Sequence, residues 1–166
     1  RLLNGIDYDE RLELNSMFHV IRESDGWDWT PLYAASRYGY KKVVELLLMT
    51  EGIDVNKAND NGWTPLITAS KNGHTETVKT LVKAEGIEVN KANNNGSTPL
   101  YVASFNDHTE VVEALLKVEG IDVNKATNDG MTPLYMASKK GHTEVVKVLK
   151  AAGAKTKEEL EAEKNA

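Results

Sequence analysis

The chain contains no cysteine, four prolines and two phenylalanines in 166 residues. Without cysteine there can be no disulfide, thiolate ligand or thiol nucleophile, and the compartment is left open, with a cytoplasmic location favoured. The apolar run Leu46–Met49 is far too short to span a bilayer, and no signal-peptide pattern opens the sequence. Membrane insertion is therefore not expected. An excess of positive charge is also missing. The formal net charge is −5, which argues against a nucleic-acid partner, since such proteins usually carry a basic stripe. A hydrophobic content of 40% argues against disorder. The sequence begins at Arg1 rather than Met, as a processed chain or a fragment would. Asn95-Gly96-Ser97 matches a glycosylation sequon, which in a polar turn reads as a chance match.

What is present is repetition. Each of the four prolines stands in a Thr-Pro-Leu triplet, at Thr30, Thr64, Thr98 and Thr132, spaced 34 residues apart. Residues 51–84 and 85–118 agree at 22 of 34 positions without a gap. A fixed period of this length is the signature of a repeat architecture. Within each unit Thr64 and its counterparts suit a helix N-cap, accepting a backbone N–H through the hydroxyl. Pro65 suits the first helical position, where its missing N–H costs nothing. Leu66, Ala69 and Ser70 fall at i, i+3 and i+4 and predict one narrow buried face. Gly73 supplies the positive φ that ends the helix. A second helix follows, with Val78, Leu81 and Val82 inward, then a turn closing at Asn-Gly. Helices this short are not stable alone in water. Each unit must bury its face against the next, which is the logic of a solenoid.

The Thr-Pro-Leu helix, the Gly-His turn, the Val/Leu-rich second helix and the Gly-Ile-Asp-Val-Asn finger together resemble the ankyrin-repeat family, over roughly residues 25–154. The resemblance implies an all-α solenoid of stacked helix-turn-helix units joined by short β-hairpin-like finger loops. Its departures are informative. The unit is 34 residues, one more than the usual 33, with Glu51, Glu85 or Glu119 as the extra residue. Where the family often has a loop-tying His after Thr-Pro-Leu, this chain has Tyr33, Ile67, Tyr101 and Tyr135, which questions that network and leaves the tyrosines to replace it partly by packing. Asp107 replaces the turn glycine of the other units and marks a weak point, because Asp takes the left-handed conformation less readily than Gly.

The expected organisation is an N-terminal segment and capping helix over 1–24 and repeats over 25–50, 51–84, 85–118 and 119–154. An acidic capping helix or tail follows over 155–166. The N-terminal helix rests on Leu14, Met17, Phe18 and Ile21 at i, i+3, i+4 and i+7. At the other end, Lys150 stands where earlier units have Leu48, Val82 and Leu116, which reads as a stop.

No catalytic arrangement emerges, and neither a cofactor nor a metal site is expected. His74, His108 and His142 recur once per repeat. Stacked helices lie roughly 8–10 Å apart, whereas zinc ligands lie about 2 Å from one ion, so these histidines read as bonded within each inter-helix turn. The resemblance implies protein binding by a monomer, through a concave groove of fingers and first helices, as adaptor or inhibitor. The alternatives are a scaffold with no single tight partner, or the ankyrin segment of a larger enzyme or channel. Candidate contacts are positions where the repeats differ. They are Trp29, Trp63 and Met131 before the triplet, and Arg37, Tyr38, Lys71, Phe105, Asn106, Lys139 and Lys140 closing the first helix. Asp60, Asn61, Asn94 and Asp129 join them at the turn tips. Trp63 is not required by the fold, since Ser97 and Met131 hold its equivalents. It reads as an exposed binding anchor or as a residue packed on its neighbouring finger. The family also implies that finger asparagines such as Asn56 and Asn124 fix the turn and can be substrates of an asparaginyl hydroxylase.

Overall fold

The computed structural model describes residues 29–165. The capping helix expected within 1–24, with Leu14, Met17, Phe18 and Ile21, lies outside them. Among the described residues the chain forms α1 (Pro31–Tyr38), α2 (Lys41–Leu48), α3 (Pro65–Lys71), α4 (Thr75–Leu81), α5 (Pro99–Phe105), α6 (Thr109–Leu116), α7 (Pro133–Lys140), α8 (Thr143–Ala151) and α9 (Lys157–Lys164).

Each first helix starts in the same way. The Oγ1 atoms of Thr30, Thr64, Thr98 and Thr132 accept from the N–H of Tyr33, Ile67, Tyr101 and Tyr135, each at 3.1 Å. A proline follows at the first helical position. Left-handed residues end these helices at Gly39, Gly73 and Gly141, and in repeat three at Asp107, whose φ of 61° is the one positive value outside glycine among the described residues.

First helices pack on first helices and second on second, giving two layers of stacked antiparallel pairs. Ala35, Ala69, Ala103 and Ala137 are fully buried and let the first helices approach closely. Leu32, Leu66, Leu100 and Leu134 fill the space between layers with Val44, Val78, Val112, Leu115 and Leu149. Each buried leucine or valine is worth about 1.5–3 kcal/mol relative to exposure.

Burial of the first helix is wider than one face. In α3 every residue from Pro65 to Ser70 is buried, because Leu66 and Ala69 meet the main core while Ile67 meets a second cluster beneath the fingers. The fingers themselves are turns without assigned strands among the described residues. Each is closed by two backbone bonds, as from Asn59 N–H to Trp63 O at 3.1 Å and from Gly62 N–H to Asn59 O at 2.8 Å. Leu48, Val82 and Leu116 are partly buried against the core, whereas Lys150 is exposed. Helix α9 begins with a reciprocal capping box between Thr156 and Glu159.

Candidate functional site

Three hydrogen-bonded seams join successive repeats. The first runs along the fingertips. The side-chain amide of Asn94 donates to Asp60 O at 2.9 Å, and its backbone N–H donates to Asn61 O at 3.1 Å. One repeat later Asn128 donates to Asn94 O and Asn95 O, at 2.9 and 3.0 Å. The second seam runs along the helix turns. Nε2 of His74, His108 and His142 bonds Arg37 O, Lys71 O and Phe105 O, at 2.9, 2.9 and 3.0 Å. A carbonyl only accepts, so each Nε2 carries the proton. These histidines therefore tie one repeat to the preceding one, not the interior of their own turn as the sequence suggested. Asn72 joins them, donating to Arg37 O at 3.2 Å.

The third seam lies at the finger bases. Asn56 donates to Gly86 O at 2.7 Å and accepts from Glu88 N–H at 3.0 Å, and Asn90 does the same with Gly120 and Asp122. Asn124 accepts from Lys155 N–H at 2.9 Å. These seams supply the loop tying that the missing His would have given. Tyr33 and Tyr101 are buried in its place.

The surface formed by the finger bases and first helices has a repeating chemistry. The cation of Arg37 lies 5.3 Å from the Trp29 ring centroid, and that of Lys71 lies 4.8 Å from Trp63. In repeat three the aromatic residue moves to Phe105, and the cation comes from the next repeat, with Lys140 at 4.0 Å. Lys139 lies 5.8 Å from Tyr135. Trp63, Phe105 and Met131 pack on one cluster of Ile67, Tyr101 and Val102. Trp63 is thus half-buried rather than exposed, with Lys71 over its ring. Trp29 instead packs on the main core and against Tyr33 at 5.3 Å. Burial of Tyr101 raises the pKa of its phenol, and the nearby negative charge of Asp129 adds to this.

The remaining candidates separate by role. Asp60, Asn61 and Asp129 are exposed at the tips. Asn94 is exposed but committed to the fingertip seam, and Asn106 is turned onto its own helix, donating to Val102 O at 2.7 Å. Tyr38 stacks on Tyr40 at 6.0 Å by the helix turn, apart from the row. Tyr135, which sequence comparison between repeats did not single out, is 39% exposed, whereas Tyr33 and Tyr101 are buried. The signal was its place in repeat four, on which no further repeat packs among the described residues.

Among the described residues no cluster of three or more His, Asp or Glu could hold a metal ion, and no helix is long and apolar enough to cross a membrane. An open groove of about 690 Å³ lies on the other layer between α4 and α6. It is floored by Val82, Ala114 and Val118 and rimmed by lysines and glutamates of both signs.

A search of the curated proteins found no match. The family model for ankyrin repeats (3 copies) matches residues 2–93 and 85–159. With that match on a stack of helix pairs joined by turn-shaped fingers, the chain belongs to the ankyrin-repeat family, whose members are generally protein–protein interaction modules.

Proposed function

We propose that this protein recognises another protein, without catalysis, through the concave face of its finger bases and first helices, as an adaptor or inhibitor. The observation that carries this reading is a division of labour. The three seams that hold the stack use Asn56, Asn90, Asn94, Asn128 and the turn histidines, which recur between repeats. The cation–aromatic row of Arg37, Trp63, Lys71 and Phe105 uses positions that change from repeat to repeat and carries none of those seams through its side chains. Half-buried aromatic rings on a rigid base, each with a cation over it, have the composition of interface anchors. The exposed Asp60, Asn61 and Asp129 form the outer rim of the same face, and Asn94, Asn106 and Tyr38 shape its edges.

The test is affinity capture with the wild-type chain, Trp63→Ser and an outer-layer variant, Lys79→Gln/Lys83→Gln. Serine already occupies the equivalent of Trp63 at Ser97, so the fold tolerates it. A protein retained by the wild type and the outer-layer variant but lost with Trp63→Ser supports the reading. Equal retention by all three refutes it. Hydroxylation at Asn56 or Asn124 belongs to the same proposal as a modification. At Asn56 it requires the two bonds to Gly86 and Glu88 to open first, so mass spectrometry of a hydroxylase-treated chain should find Asn124 modified ahead of Asn56.

A further inference from the structure

Charge is segregated between the two helix layers. The first helices read PLYAASRY, PLITASK, PLYVASF and PLYMASKK. They contain Arg37, Lys71, Lys139 and Lys140 and no acidic residue, in a chain whose net charge is −5. The second helices are mixed, and their lysines pair locally, as in Lys41–Glu45, Lys79–Glu76 and Lys147–Glu144. None of the four first-helix cations enters an ion pair among the described residues. Each lies over an aromatic ring instead, which leaves its N–H donors available while the ring fixes its position.

We infer that the occupant of the face is an extended acidic peptide segment of a partner protein, with carboxylates spaced about three residues apart. This rests on the recognition reading above and adds the partner's chemistry to it. The spacing follows from geometry. Stacked helices repeat at roughly 8–10 Å. An extended polyproline-II segment advances about 3.1 Å per residue with three residues per turn, so one edge of it presents a side chain every ~9 Å. Carboxylates on that edge meet Arg37 in repeat one, Lys71 in repeat two, Lys140, whose cation reaches over Phe105 of repeat three, and then Lys139 beside Tyr135 of repeat four, and apolar side chains between them meet Trp63 and Phe105. The acidic overall charge gives no long-range attraction for a polyanion as such, which favours a short acidic segment over a nucleic-acid backbone.

The test uses the full chain and fluorescence anisotropy with labelled dodecapeptides. One consists of four Glu-Pro-Leu triplets and another of four Gln-Pro-Leu triplets. A twelve-nucleotide oligothymidylate is the third probe. The glutamate peptide should bind at least tenfold more tightly than the glutamine peptide and weaken with added salt. Lys71→Gln/Lys140→Gln should abolish that preference while leaving the glutamine peptide unchanged, and Lys79→Gln/Lys83→Gln should keep it. Equal affinities for the two peptides, no binding of either, or tighter binding of the oligonucleotide overturns the inference. If the peptides fail while protein capture still depends on Trp63, the recognition face stands and only the acidic occupant falls. If capture is also indifferent to Trp63, both fall.

Discussion

Gly62 and Gly130 occupy the same place in the finger turns of repeats two and four and share a φ of 77°, yet replacing them with alanine should have different consequences. A Cβ at Gly130 meets no atom within 4 Å. Gly130→Ala therefore isolates the backbone term. The left-handed conformation costs a Cβ-bearing residue roughly 1–2 kcal/mol, and the stiffer unfolded chain returns about 0.4–1 kcal/mol. The net loss is about 1 kcal/mol. At Gly62 the same Cβ meets Asn94 Oδ1 at 2.5 Å and Asn94 N at 2.8 Å, both closer than real contacts allow. Asn94 must move, and with it the two bonds to Asp60 O and Asn61 O. At ~0.5–1.5 kcal/mol per bond, Gly62→Ala should lose about 1–3 kcal/mol more than Gly130→Ala. Urea denaturation followed by circular dichroism measures both, and Gly96→Ala, whose Cβ meets Asn128 N at 2.6 Å, is an internal replicate of Gly62→Ala. Equal losses at Gly62 and Gly130, within about 0.5 kcal/mol, refute the claim that the fingertip seam stabilises the stack.

Asn94→Ala removes the side-chain half of that seam and should cost ~0.5–1.5 kcal/mol in urea, whereas Asn61→Ala, at an exposed tip, should stay within about 0.5 kcal/mol of wild type. Lys150→Leu extends the apolar row of Leu48, Val82 and Leu116 onto an exposed position, and sedimentation velocity should show concentration-dependent self-association. Tyr101 should ionise later than an ordinary phenol of pKa 10 because it is buried. Its folded-state pKa is raised, so its contribution to stability is complete below 10 and is lost as pH rises through the folded value. The ultraviolet difference titration of wild type against Tyr101→Phe should place its midpoint above that of a model phenol. Thr156→Ala breaks the capping box of α9 and should cost that helix about 1 kcal/mol, seen as faster amide exchange in α9 and not in α8. The Glu158 carboxyl, held below its ordinary 4.5 first by backbone hydrogen bonding and then by the Thr156 hydroxyl, favours α9 above pH 4.5. That contribution should fade as the pH falls through its lower folded value.

What could be read from the sequence was whatever depends on neighbours along the chain. The threonine caps, the proline starts and the glycine stops act within four residues, and each appears where its spacing places it. Lys150 was legible because its counterparts can be lined up. The seams were not. Asn94, Asn128 and the histidines bond partners in the preceding repeat, 33 to 37 residues away, and alone each reads as an ordinary polar turn residue. The position of Trp63 was hidden for a related reason. A single helical period marks one inward face, and Ile67 lies off it, so the second cluster on which Trp63 leans exists only after repeats stack. The pairing of Phe105 with Lys140 likewise crosses a repeat boundary.

Fingertips and helix turns share a direction. Asn94, Asn128 and the turn histidines all donate backward, toward the repeat before them, and the carbonyls of that repeat receive them. At these two seams a repeat therefore has a donor side and an acceptor side, while the finger-base seam exchanges bonds both ways, and the array is polar like a filament rather than symmetric like a dimer. Such a polarity fixes how units can be exchanged. Excising residues 85–118 would bring the donor side of repeat four onto the acceptor side of repeat two, atom type for atom type, and a shorter array should close its seams again. Inverting a unit would set carbonyl against carbonyl at two seams. Lengthening and shortening by whole units is thus the direction in which this architecture can vary without being redesigned.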